Sequence, residues 1–179
     1  MPYTVFAGGV VGAWRVESIE PVTGPSLPMV SRLAVFGEGR LGELDVAWTL
    51  RGLTSNVRYT RRNEQDALAA TQAELGRPEA TRAALIPITK SEAWWGLAQD
   101  ERRELFEERS HHIAIGLEYL PAVARRLYHG HDLDECFDFL TWFEYAPQNA
   151  PAFDELVSRL RATPEWEYVD REVDIRLAR

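Results

Sequence analysis

Short apolar runs with rough alternation fill the first third of the chain, at residues 3–6, 14–19, 32–36 and 46–53, and Pro, Gly and Ser punctuate the gaps. A period of two puts alternate side chains on one face, so these runs predict strands. The period then lengthens. Ala67, Leu68, Thr71 and Leu75 recur at helical spacing across residues 63–75, with Gly76 as the C′ residue and Pro78 beyond it. Residues 83–89 (AALIPIT) return to a strand pattern, and Pro87 within it predicts a place near a sheet edge or a bulge.

Ser91 reads as an N-cap opening a long helical region in which Phe106, Ile113, Leu117 and Leu120 share a side. Asp100 reads as a second N-cap, and Pro121 ends the pattern. Two aromatic-rich runs, residues 123–129 and 137–145, flank the polar GHDLDE turn and predict adjacent antiparallel strands. A helix over residues 152–160, with Phe153, Leu156, Val157 and Leu160 inward, precedes a last strand at 168–177. The second half therefore has the order β-α-β-β-α-β, the ferredoxin-like arrangement. The expected fold is α+β, with a ferredoxin-like half at 81–179 and a shortened copy of it at 1–80, fused into one structural unit.

Composition narrows the function. The 179 residues are 45% hydrophobic and 27% charged, enough for one domain with a sizeable core. Twenty basic residues against 28 acidic ones leave a net charge of −8, which gives nucleic acid or a polybasic membrane contact little to work with. Lys90 is the sole lysine beside nineteen arginines. Cys136 is the sole cysteine, which rules out an intrachain disulfide and a Cys-rich metal cluster and favours a reducing, cytoplasmic setting. Residues 1–14, the longest uncharged stretch, are too short to span a bilayer and lack a positive n-region, so neither a signal peptide nor a membrane span is expected.

Four histidines could carry chemistry. His111 and His112 are neighbours on the long helix, about 100° apart, so one alone can face a given pocket. His112 shares its side with Glu108 and Gly116, and Gly116 would let something bulky approach beside it. No H-E-x-x-H or paired C-x-x-C is present, which disfavours zinc and leaves room for a flat cofactor needing one axial nitrogen. His129 and His131, with Asp132 and Asp134, read as a solvated loop in preference to a metal site. Gly8, Gly9 and Gly12 lack the following helix that would hold a pyrophosphate. A G-x-S-x-G elbow is absent. Arg125 and Arg126 sit in an apolar strand and face opposite ways; the inward one needs an anion or a carboxylate, and a structural ion pair is the simpler account. Trp94 and Trp95 have a simple reading as core anchors.

Together, TRAALIPITKSEAWW (81–95), ERSHHIAIGLEYLPAVARRLYH (108–129), DFLTWFEYAP (138–147) and RATPEW (161–166) resemble the chlorite dismutase family of haem b enzymes, most closely its short-chain dimeric branch. The resemblance implies a dimeric α/β-barrel-type subunit that binds haem b and converts chlorite to chloride and dioxygen. It places the axial iron ligand at His112, the distal residue at Arg125, and a carboxylate behind the proximal imidazole at Glu165. It matches Lys90 and Tyr59 to positions that hold the haem propionates, and Gln72 and Leu120 to the distal pocket. Trp94 and Trp95 match tryptophans on the proximal side and near the subunit contact. The shortened first half goes with a homodimer in that family, and the retained Arg125 counts against coproheme decarboxylation. The implied partners are chlorite and other small anions. A haem peroxidase or porphyrin-handling enzyme of this fold, a cofactor-free monooxygenase and a non-catalytic haem carrier are the alternatives.

Overall fold

The computed structural model describes residues 3–38, 45–54, 59–133 and 135–179. Four strands come first: β1 (Tyr3–Gly9), β2 (Trp14–Thr23), β3 (Arg32–Gly37) and β4 (Val46–Thr54), followed by α1 (Arg62–Thr71). Then come β5 (Arg82–Lys90), the short helices α2 (Glu92–Gly96), α3 (Gln99–Arg103) and α4 (His112–Glu118), then β6 (Val123–His129), β7 (Phe139–Tyr145), α5 (Ala150–Arg161) and β8 (Val169–Ala178). The second half keeps the β-α-β-β-α-β order, with its first helix in pieces.

The strands close on themselves in the order β1-β3-β2-β8-β5-β7-β6-β4. β2 pairs with β8 and β4 with β6, all antiparallel, so the first four strands and the last four build one barrel. Alternation in each strand sorts side chains into two cores. Phe6, Trp14, Leu33, Leu50, Trp142 and Ile175 fill the barrel interior. Ile86, Ile115, Phe143, Phe153 and Leu160 fill the layer between the outer face of β5, β6 and β7 and the helices α4 and α5. Gly8 makes room inside the barrel: a Cβ there would lie 2.3 Å from the Trp48 ring.

Several expectations are corrected. β5 is no edge strand, since it lies between β7 and β8. Pro87 is tolerated because the ladder to β8 lapses between Leu85 and Ile88, so no partner asks for its missing N–H. α1 stops at Thr71, and Gly76 (φ 81°) belongs to the turn beyond it, donating its N–H to Glu144. The helical region from Ser91 is not continuous. Ser91 caps α2 by accepting from the Trp94 N–H, but α3 is capped at Ala98, and Asp100 lies inside its first turn. Residues Glu104–Arg109 form a π-helical stretch, and His111 takes a left-handed conformation (φ 53°, ψ 35°) before α4 begins. Glu108 is thus outside the helix that carries His112, and the shared side of Phe106, Ile113, Leu117 and Leu120 is broken. The loop expected to be solvated holds His129 at 2% exposure. Asp134, assigned to that loop, lies outside the described residues.

Charge reinforces the outer layer. Asp174 on β8 accepts from Arg176 and Arg161, whose fork also reaches Glu172. Burial alone would raise the Asp174 carboxyl, but Arg176 and then Arg161 hold it below the usual range. Those pairs therefore contribute fully above the unfolded carboxylate range and fade as pH falls below it. Asp174→Asn is expected to cost about 1–3 kcal/mol at pH 7, with the gap from the natural chain narrowing between about pH 5 and 3; urea midpoints at the two pH values check it, and a constant gap would refute it.

Candidate active site

One cavity of about 300 Å³ opens between the outer face of β5, β6 and β7 and the helices. Apolar side chains of Leu68, Ile86, Ile88, Ile113 and Phe143 line much of it. Strand alternation in β6 places Arg125, Leu127 and His129 on its wall, and α4 brings His112.

His112 is the first residue of α4, and its orientation follows from three contacts. Its Nδ1 lies 2.7 Å from Glu165 Oε2. Phe106 stacks on its ring at 4.4 Å, and Trp166 lies nearly parallel at 6.2 Å. Glu107 steadies the turn, its carboxylate accepting from the N–H groups of Ile113 (2.6 Å) and Ala114 (3.3 Å). That cap offsets part of the cost of the left-handed residue before it, on the order of 1–3 kcal/mol. With Nδ1 engaged, Nε2 is the nitrogen left for a ligand, and no hydrogen bond occupies it among the described residues.

Glu165 sits in a 3₁₀ turn (Pro164–Tyr168) and is anchored through its own N–H to Ser110 Oγ at 2.9 Å. Its second oxygen accepts from Lys90 Nζ at 2.8 Å, with both side chains about 5% exposed or less. Burial alone would raise this carboxyl, but the charges of His112 and Lys90 outweigh it and hold the carboxyl at about 2. The expectation that Lys90 holds a propionate gives way to this contact. Its ammonium is also 4.3 Å from the centre of the Trp94 ring, so it is enclosed by protein and neutralised by Glu165.

Arg125 is the opposite case. No carboxylate lies within ion-pair distance of its guanidinium among the described residues, so the ion-pair reading fails. Its half-exposed surface faces the cavity, and the surrounding protein lowers its pKa by desolvation, opposed by the charge of Glu107. Gln72 Nε2 donates to the Arg125 carbonyl at 2.9 Å, which fixes the main chain there. Tyr59 (φ 59°) packs edge-on against Trp94 at 5.9 Å, and its hydroxyl accepts from Arg102. The Trp94 indole N–H is buried without an acceptor among the described residues.

Two expected members lie elsewhere. Leu120 ends the α4 turn and is absent from the cavity wall, where Leu127 stands instead. Trp95 stacks on His131 at 3.9 Å and donates to Asp138, also outside the cavity. Leu127 was findable from the sequence, because it lies two residues from Arg125 on one strand. Phe106, Trp166 and Glu107 were not, since none shares a helical face with His112.

The sequence model of the chlorite dismutase family matches residues 32–179. The chain belongs to the chlorite dismutase family. It is 59% identical to the dimeric chlorite dismutase of Nitrobacter winogradskyi, over 98% of this chain and 99% of that one, with a TM-score of 0.91. A chlorite dismutase of Ideonella dechloratans is 31% identical over 156 residues, which are 86% of this chain and 51% of that protein, so the match spans about half of that relative's length. A chlorite dismutase variant from Candidatus Nitrospira defluvii, at 21% identity, shares the fold with a TM-score of 0.69, covering 99% of this chain and 91% of that one.

Removing one member of a buried pair strands the other's charge. Glu165→Gln is expected to cost the chain about 3–5 kcal/mol, and Glu165→Gln with Lys90→Met to cost less than Glu165→Gln alone. Urea unfolding of the four proteins in the cycle checks this, and additive costs would exclude the coupling.

Proposed function

We propose that this chain is a haem b enzyme that converts chlorite to chloride and dioxygen, and that it works as a homodimer in the cytoplasm. The observation that carries the reading is the pairing, in one cavity, of an imidazole whose Nε2 is left for a ligand with a half-buried guanidinium that has no carboxylate partner among the described residues. The 59% identity to the dimeric Nitrobacter protein supports the substrate and the dimer. The single free cysteine supports the reducing compartment.

The residues present fit haem. His112 would supply the nitrogen ligand to its iron, the apolar walls would suit the macrocycle, and the orphaned N–H of Trp94 with the Tyr59 hydroxyl would meet its acidic edge. When bound, haem iron would supply the redox chemistry that chlorite conversion needs.

The chain's own groups do the rest. Glu165 accepts the Nδ1 proton of His112, which fixes the tautomer and makes the imidazole a stronger donor. Lys90 keeps Glu165 ionised and in place. Arg125 attracts the anion into an otherwise apolar cavity and retains charged oxychlorine species until dioxygen forms. No carboxylate among the described residues forms an ion pair with it, so the donors that face the cavity remain available to the substrate.

Two variants test the reading. Arg125→Ala is expected to keep the Soret band of the loaded protein, while oxygen release from chlorite falls on the order of tenfold, the scale of one charge-assisted hydrogen bond, and inactivation comes earlier. Unchanged rate and endurance on an oxygen electrode would overturn the role. His112→Ala is expected to lose the Soret-absorbing complex, and normal haem spectra would overturn the ligand assignment. Peroxide-driven dye oxidation without oxygen release from chlorite would indicate a peroxidase.

A further inference from the structure

The guanidinium of Arg125 has no ion-pair partner among the described residues, yet it is closely confined, because it lies against α4 at Gly116. A Cβ built on Gly116 would stand 2.5 Å from Arg125 Nη1, 3.0 Å from Cζ and 3.1 Å from Nη2. These nearest contacts all fall on the guanidinium, so the space that a side chain would occupy is the space the fork fills. Nothing in the backbone asks for glycine here, since Gly116 is an ordinary, buried residue inside α4. Glycine in a helix interior is normally disfavoured. Its presence is explained by what it admits.

We propose that Gly116 is the positioning residue for Arg125: its missing side chain forms a berth that holds the guanidinium flush against α4, one turn from His112, and so sets where an anion meets positive charge in the cavity. Two neighbours complete the berth. Gln72 holds the Arg125 carbonyl from the side of α1, and Glu107, which caps α4, supplies the negative charge that Arg125 feels. The inference deepens the reading of Arg125 as the anion-binding group and rests on it for its functional part.

The test is Gly116→Ala, made both in the natural chain and in Arg125→Ala. In the first arm, thermal unfolding of the full chain without haem reads the contact alone. With Arg125 removed, the added methyl has room, and the midpoint is expected to rise by about 2–4 °C from improved helix propensity. With Arg125 present the fork must move to admit the methyl, and the rise should be smaller or absent. Equal shifts in both backgrounds would overturn the berth. In the second arm, fluoride and neutral imidazole are titrated into the haem-loaded proteins and followed at the Soret band. Gly116→Ala is expected to weaken fluoride by about tenfold, to leave imidazole unaffected, and to do nothing further once Arg125 is alanine. Unchanged fluoride affinity would overturn the positioning role even where the stability coupling is found. A natural chain that takes up no haem would count against the proposed function, and the first arm would still decide the berth.

Discussion

The Glu165 carboxylate is the contact on which the site depends. It is buried, and it is stable as an anion only because Lys90 and His112 approach its two oxygens from different elements. Lys90 ends β5, His112 begins α4, and Glu165 lies in the turn before β8. A carboxylate so placed has strict geometric demands, since neither oxygen can turn to water for compensation. It therefore locks together the three pieces of chain that define one wall of the cavity, and it fixes which nitrogen of His112 is left over.

The other wall follows a different rule. Arg125 brings a charge into a layer of Ile, Leu and Phe without an ion-pair partner among the described residues. The barrel makes this tolerable, because β6 is held along its length by β7 and the Arg125 carbonyl is held by Gln72. The structure thus sets a fully satisfied charge cluster on one side and an unsatisfied charge on the other. That asymmetry is what a site needs in order to hold its own ligand rigidly and leave its substrate group available.

Strain gathers on the same segment. The π-helical stretch, the left-handed His111 and the carboxylate cap from Glu107 all fall within the nine residues Glu104–His112. A straight helix from Ser91 to Leu120 would rotate His112 with its neighbours. Interrupting it lets Phe106 turn back over the imidazole while α4 takes a new direction that brings Gly116 to Arg125. Such irregularity is often found where a side chain must be aimed.

Much was legible in the sequence because it is local. Alternation identified the strands, the order β-α-β-β-α-β of the second half followed from periodicity, and a family pattern spread along the chain singled out His112, Arg125 and Glu165. Only the tertiary structure decided the rest, because those outcomes depend on groups distant along the chain. Barrel closure gave β5 a partner on each side, so that of the expected edge or bulge only the irregularity is found, at Thr89 and Lys90 in its pairing with β8. Lys90 met Glu165, 75 residues away, and so became a brace for a carboxylate where a propionate contact had been expected. Leu120 lies off the cavity wall because a helix that breaks at His111 no longer carries its period forward, and Trp95 because it stacks on His131 and donates to Asp138. A sequence states which side chains are available, whereas which charge neutralises which is settled by distance, and distance exists only once the chain has folded.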